Sequence, residues 1–338
     1  MTGPRGLDPR GLDLERLRAY LGTPPLTATM FAGGRSNLTY AVTDGINRWV
    51  LRRPPLGHVL PTAHDMSREH RVLDALSRAG FPAPRPVRLC TDPDVIGAPF
   101  YLMEHVDGTI HRDVAVLEAM GPATMRALVL SLVDTLADLH ALDYAAIGLA
   151  GFGHPGGFNE RQVRRWKKQL DGSHSREVPG IEELHARLAV QVPDGAGSVV
   201  HGDYRLDNVL VGPACEINAV LDWEMSTLGD PLSDLALMLV YAGRPMMVRD
   251  GRPYASIDVP GHPSLDEIAE HYTKRSGRDV SDLHWYIGFA AFKLAVIMEG
   301  VHYRYVQGQT VGEGFETLGA MVAPLVALGH QALKEGKD

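Results

Sequence analysis

The string His201-Gly202-Asp203-Tyr204-Arg205-Leu206-Asp207-Asn208 is followed by apolar Val209-Leu210-Val211, by a second apolar run from Ile217 to Leu221, and then by Asp222-Trp223-Glu224. Two short apolar segments thus carry Asp203, Asn208 and Asp222 near their ends. Mg²⁺ takes hard oxygen ligands, usually one or two carboxylates completed by substrate phosphates, and Asn208 and Asp222 are donors of that kind. Asp203, five residues before Asn208, suits acceptance of a hydroxyl proton while the metal neutralises charge on a transferring phosphoryl group. Arg205 adds a cation for phosphate oxygens. Asp, Asn and Gly also gather in turns for backbone reasons alone. An HxDxxxxN string with a further aspartate nineteen residues after the first is far more demanding than a lone HxD.

The elements that must hold these side chains change character along the chain. Residues 12–21 read as a short amphipathic helix, followed by strand-like stretches at 27–31, 38–43 and 48–52, punctuated by Gly33-Gly34 and Asp44-Gly45 as in two hairpins. Residues 65–78 turn helical, with Val72, Leu73 and Leu76 on one face, and end at Gly80 and the Pro-rich run 82–86. Further strands near 87–90 and 99–104 would complete a five-stranded antiparallel sheet carrying one helix. Beyond Gly108 helices dominate: Leu128, Leu132, Leu136 and Leu139 recur at helical spacing, and similar patterns cover 159–170, 263–276, 282–306 and 312–334. The strand-like interlude 198–221 lies among them.

HGDYRLDN followed by DWE and GDPLSDLA resembles the catalytic segment of the aminoglycoside phosphotransferase family, choline-kinase-like relatives included, whose fold is similar to that of eukaryotic protein kinases. The resemblance implies that Asp203 positions or deprotonates the acceptor hydroxyl and that Asn208 and Asp222 hold Mg²⁺. Arg205 stands two residues after the aspartate, where many protein kinases carry a Lys that touches the γ-phosphate. His201 is implied as scaffold beneath the loop, and Asp234 as the carboxylate that starts a helix and braces that loop. DWE stands in place of DFG, so no DFG-type flip is implied. The implied fold is α+β and bilobal: an N-terminal nucleotide-binding lobe (1–103) with a five-stranded antiparallel sheet and one helix, a hinge (104–108), and a mostly helical catalytic and acceptor-binding lobe (109–338).

A kinase needs a nucleotide clamp in the first lobe. Ala32-Gly33-Gly34-Arg35-Ser36-Asn37 fits a loop whose amides approach phosphates, with Ser36 as a side-chain contact. No GxxxxGK[ST] is present. GGRSNLTYAV resembles the loop of the branch related to the kinase-like domain fused to some acyl-CoA dehydrogenases. For the phosphate cation, strand parity selects Arg52, which shares a face with Val50, the small apolar residue against adenine, over Arg53. Arg in place of the usual Lys presents a fork rather than a point charge. Glu69 lies on the inward stripe with Val72, Leu73 and Leu76, so it needs a cationic partner, and Arg52 is the obvious one; a surface Glu69 bonded to Arg68 or His70 is the alternative. Residues 100–108 resemble the edge strand and hinge, with Met103 flanking adenine and the Glu104 carbonyl and Val106 amide bonding the base.

Composition narrows the partners. The chain has 338 residues and a formal charge of −8, which argues against a nucleic-acid partner, because phosphate-backbone affinity rests on clustered cations. No apolar run nears the ~20 residues that cross a bilayer, and MTGPRGLDPRGLDLE holds no apolar signal core; both predict a cytoplasmic protein with no membrane partner. Cys90 and Cys215 stand outside any CxxC, and HExxH is absent, which excludes a disulfide framework and the common zinc motifs. Arg161, Arg164, Arg165, Lys167 and Lys168 around Trp166 form either a solvated helix face or an anion-binding stretch, and Lys293, Glu299, His302, Tyr303 and Arg304 either line the acceptor site or pack as core. The expected activity is transfer of the γ-phosphoryl group of ATP or GTP to a metabolite hydroxyl, with a hydroxyacyl or hydroxy-acid acceptor favoured by the branch resemblance. Aminoglycoside, choline-type and homoserine-type kinases, and a nucleotide-binding regulator without catalysis, are the alternatives.

Overall fold

In the computed structural model, residues 9–31, 37–56, 65–173, 176–243, 247–249, 252–310, 315 and 317–336 are described. The elements of the first half are α1 (Leu14–Leu21), β1 (Thr27–Met30), β2 (Leu38–Thr43), β3 (Arg48–Arg53), α2 (Met66–Arg78), β4 (Pro86–Cys90), β5 (Phe100–Glu104), α3 (Val114–Ala119), α4 (Pro122–Ala141), α5 (Phe158–Gly172) and α6 (Ile181–Val190). There follow β6 (Ser198–Val200), β7 (Val209–Val211), β8 (Ile217–Val220), β9 (Thr227–Gly229), α7 (Leu232–Ala242), β10 (Met247–Arg249), β11 (Arg252–Tyr254), α8 (Leu265–Ser276), α9 (Leu283–Val306) and α10 (Val322–Glu335).

The chain divides into two compact units, one of residues 1–109 and 209–226, the other of residues 110–208 and 227–338. The hairpin β7–β8 and the turn after it cluster with the first sheet.

In the first unit the sheet runs β1-β2-β3-β5-β4, all antiparallel. The β2–β3 turn closes because Asp44 Oδ1 accepts from the amides of Ile46 and Asn47. One face buries Tyr40, Val42, Leu51, Phe100 and Leu102 with Leu12 and Leu17. The opposite face carries Val50 across from Met103 and Arg52 across from Tyr101, as period-two alternation requires. Helix α2 starts at Asp65, whose side chain accepts from the Ser67 and Arg68 amides, and buries Met66, Glu69, Val72, Leu73, Ala75 and Leu76. Gly108 lies so close to β7 that a Cβ there would stand 2.9 Å from Leu210 Cβ, which bars a larger residue at that position.

In the second unit α9 is apolar on nearly all sides, as its central position requires, packing against α5, α6, α7 and α10. The two-stranded pair β6–β9 sits with α4 and leads into the loop at 201–208. Helix α8 begins with a capping box in which Ser264 and Glu267 satisfy each other's backbone amides. The last helix starts at Val322 rather than 312. Pro324 fits that first turn, where its missing N–H has no helical acceptor to lose, and a 3-10 turn at Leu318–Met321 precedes it. The short elements α3, α6, β9, β10 and β11 were not expected from periodicity, being three to ten residues long. Among the described residues no helix is long and apolar enough to cross a membrane.

Candidate active site

In the first unit the site is built around one guanidinium. Arg52 Nε lies 2.9 Å from Glu69 Oε2, while Nη2 donates to Asp222 Oδ1 at 2.5 Å and to Glu224 Oε2 at 3.1 Å. The Tyr101 hydroxyl donates to Glu69 Oε2 at 2.8 Å, and Asn37 Nδ2 donates to Glu69 Oε1 at 3.1 Å and to Glu224 Oε2 at 2.9 Å. Glu69 is therefore inward and only 2% exposed, not a surface residue paired locally. Burial pushes its carboxyl up to about 7, against the lowering pull of Arg52 and the Tyr101 hydroxyl. Burial works against the Arg52 cation too, but Glu69 and its neighbours outweigh it and hold the guanidinium charged. Arg53 points to the other face, where it donates to the carbonyls of Gly11 and Ile96.

Asp222 is presented by a tight turn. Its φ of 65° is left-handed, a region that Asp tolerates better than most residues. The turn is fixed beneath by Trp223, which donates from Nε1 to the Val220 carbonyl and packs edge-on against Phe81. At the hinge, Val50 and Met103 are each 9% exposed, and the Glu104 carboxylate accepts from the Arg85 amide. Val106 is half-buried. Gly33, Gly34 and Ser36 lie outside the described residues.

In the second unit the 201–208 loop hangs from helix α7. Asp234, in its first turn, accepts from the His201 amide through Oδ2 and from the Gly202 amide through Oδ1, at 2.6 and 2.8 Å. It is not the cap; Asp230 Oδ1 takes the Leu232 amide instead. Gly202 has φ 85°, which explains glycine between His201 and Asp203. His201 is fully buried, and its Nδ1 accepts from the Asp203 amide. Burial lowers the pKa of His140, which sits between Tyr272 and Asp234 as further bracing. Lys293 Nζ donates to the Gly202 carbonyl at 2.9 Å and lies 5.7 Å over the Trp166 ring, with its pKa lowered by burial.

The Asp203 carboxylate is held at both ends. Oδ1 accepts from the Tyr241 hydroxyl at 2.9 Å and Oδ2 from Asn208 Nδ2 at 3.1 Å. Arg205 is held among its neighbours: Nε is 3.5 Å from Asp203 Oδ2, Nη1 is 3.2 Å from Asp207 Oδ2, and its guanidinium lies 4.9 Å over the Tyr241 ring. These two residues help line a cavity of about 510 Å³. Its floor is aliphatic, with Leu117, Val129, Leu132 and Met238, and its polar rim sets Arg112 and Arg205 against Asp113 and Asp207.

Asn208 spends both amide hydrogens on Asp203, leaving its amide oxygen as the donor to a cation. Asp222 gives Oδ1 to Arg52, and no described residue donates to Oδ2. Each is a hard oxygen donor of the kind Mg²⁺ takes. Among the described residues no group of three or more His, Cys, Asp or Glu forms a metal site.

The basic stretch on α5 is mostly occupied with its own surroundings. Arg161 bonds the carbonyls of His154 and Gly156, Lys167 pairs with Asp171 and Glu182, and Trp166 is buried. Glu299 is buried against Arg176. Asn37 and Glu224 lie in strings the sequence singles out, the glycine loop and Asp222-Trp223-Glu224, but their bonds in this cluster are not legible there; Tyr241, two helical turns after Asp234, is not singled out by the sequence at all.

Residues 27–268 match the family described as "Phosphotransferase enzyme family" (APH). A protein from Ralstonia eutropha JMP134, whose aminoglycoside phosphotransferase activity is itself only an assignment, is 32% identical with a TM-score of 0.84, covering 96% of this chain and 99% of its own. The chain belongs to this phosphotransferase family, and its α+β kinase-like fold is the one expected. Curated relatives named acyl-CoA dehydrogenase family member 11 are 38% identical in Pongo abelii and 37% in Homo sapiens, each over 95% of this chain. The chain spans 43% of the length of each. A thermostable mutant of aminoglycoside phosphotransferase APH(4)-Ia, in ternary complex with AMP-PNP and hygromycin B, shares the fold at a TM-score of 0.62 and 14% identity over 94% of this chain and 97% of its own.

Proposed function

We propose that the chain is a kinase that transfers the γ-phosphoryl group of ATP or GTP to a hydroxyl of a small metabolite, with residues 1–103 as nucleotide lobe, 104–108 as hinge and 109–338 as catalytic and acceptor lobe. The observation that carries this reading is the Asp203 carboxylate, fixed at both oxygens by Tyr241 and Asn208 on a loop suspended from Asp234. Arg52, supported by Glu69, supplies the cation for the α- and β-phosphates; Val50, Met103, Glu104 and Val106 receive the base; and the Gly33 and Gly34 amides with the Ser36 side chain contact the phosphates. Asn208 and Asp222 hold Mg²⁺, which neutralises charge on the phosphates when bound. Asp203 orients the acceptor hydroxyl and takes its proton as the new O–P bond forms; the old P–O bond breaks, and its electron pair leaves with the nucleoside diphosphate. Arg205 neutralises the phosphoryl oxygens or an anionic group of the acceptor from its place at the cavity rim.

The cavity supports a hydroxyacyl or hydroxy-acid acceptor, and cytoplasmic action would give access to nucleotide and Mg²⁺. Its floor is aliphatic and its rim charges balance, whereas a polycationic aminoglycoside would be favoured by an excess of carboxylates. Choline- and homoserine-type acceptors belong in the same assay. Thermal-shift titration with ATP and GTP, with and without Mg²⁺, followed by detection of nucleoside diphosphate over a panel of hydroxyl metabolites, tests the reading. Metal-dependent stabilisation with turnover on a hydroxy acid supports it; metal-dependent stabilisation without turnover on any acceptor favours a regulator that has lost catalysis.

A further inference from the structure

We propose that Tyr241 is a positioning residue for phosphoryl transfer: its phenolic O–H anchors Asp203 Oδ1 so that the carboxylate faces the acceptor hydroxyl in one orientation. The inference rests on the kinase reading above.

Every other group that touches Asp203 belongs to its own loop. The His201 ring accepts from its amide, Asn208 donates to its carbonyl and Oδ2, and Arg205 Nε lies 3.5 Å from Oδ2. A carboxylate held only by its own loop moves with that loop. Tyr241 ties it instead to α7, the helix whose Asp234 already holds the His201 and Gly202 amides. Asp234, Met238 and Tyr241 are spaced i, i+4, i+7, so they lie on one face of that helix. The face grips the loop twice: Asp234 takes its backbone and, two turns later, Tyr241 takes its reacting side chain.

The geometry also leaves the carboxylate able to act. Oδ2 accepts from Asn208 and lies beside Arg205, whereas Oδ1 accepts only from Tyr241 among the described residues. A carboxylate oxygen can accept twice, so Oδ1 keeps a lone pair whose direction the Tyr241 bond sets. The phenol remains a donor throughout, because burial and then the Asp203 charge push its pKa up. Its ring is fixed from the other side by the Arg205 guanidinium at 4.9 Å. Tyr241 and Arg205 both line the 510 Å³ cavity, so the tether stands where an acceptor would enter.

The test compares Tyr241→Phe, Tyr241→Gln and Tyr241→Leu with the wild type on the acceptor found in the metabolite panel. For Phe, kcat falls on the order of tenfold, the effect of one lost hydrogen bond to a charged group, while the nucleotide KM and the stoichiometry of nucleotide binding stay unchanged. Gln, whose amide N–H can donate to Oδ1, recovers part of the loss that Leu shows. A Phe variant with kcat within twofold of wild type at full binding stoichiometry overturns the inference. Should the Phe variant not fold, equal kcat in the Gln and Leu variants overturns it. Failure of the wild type on every acceptor is a separate outcome: it removes the kinase reading, and this inference with it.

Discussion

Arg52 Nη2 donates to Asp222 Oδ1 at 2.5 Å, although the two residues lie 170 positions apart in the chain. One guanidinium also meets Glu69 and Glu224, so three carboxylates share a single cation with 13% of its side chain exposed. Arg52→Met leaves three carboxylates without that cation and should destabilise the protein by about 3–5 kcal/mol, the range for breaking a buried pair from one side. Arg52→Lys keeps the charge but loses the fork, so it should lose less stability and raise the nucleotide KM roughly tenfold. Chemical denaturation and steady-state kinetics on the two variants check both.

Asn37 is the neutral clamp of the same cluster. Its amide donates to both Glu69 and Glu224 and is 3% exposed. Asn37→Ala should cost about 1–3 kcal/mol through two under-satisfied acceptors, and Asn37→Asp more, since it adds a carboxylate to three. Urea midpoints of the two variants should fall in that order.

Metal removal gives a third outcome. With Mg²⁺ present, nucleotide at about 100 times its Kd should stabilise the folded state by roughly 2.7 kcal/mol. EDTA or Asp222→Ala should remove most of that gain. The change in melting temperature on adding nucleotide is the readout.

The α8 capping box makes stability pH-dependent. Glu267 is held down to about 2, first by the hydrogen bond from Arg126 and then by the Ser264 amide. A depressed carboxylate stabilises the fold above its ordinary value of 4.5, and that contribution is lost as the pH falls from there towards 2. The melting-temperature difference between wild type and Glu267→Gln should therefore be widest near neutrality and shrink on acidification through that window.

Local patterns made much of this legible from residues alone. Alternation selected Arg52 over Arg53 because strand side chains alternate strictly, and the helical stripe on α2 placed Glu69 inward. The catalytic string stood out because its spacing is rigid. Tyr241 and Asn37 were hidden by chemistry common to any core: a tyrosine near the end of an apolar helix and an asparagine at a strand start give no local sign of a partner 38 or 187 residues away. The grouping of 209–226 with the first sheet was hidden for a similar reason, since it depends on long-range contacts such as the Val220 amide on the Pro82 carbonyl.

The central claim is that Asp203 serves the chemical step and not the binding of nucleotide. Asp203→Ala, assayed beside wild type for nucleotide affinity in Mg²⁺ and for diphosphate release with the acceptor, tests it most directly. Turnover should be lost with nucleotide affinity nearly intact; surviving turnover with nucleotide affinity lost would rule out this role for Asp203.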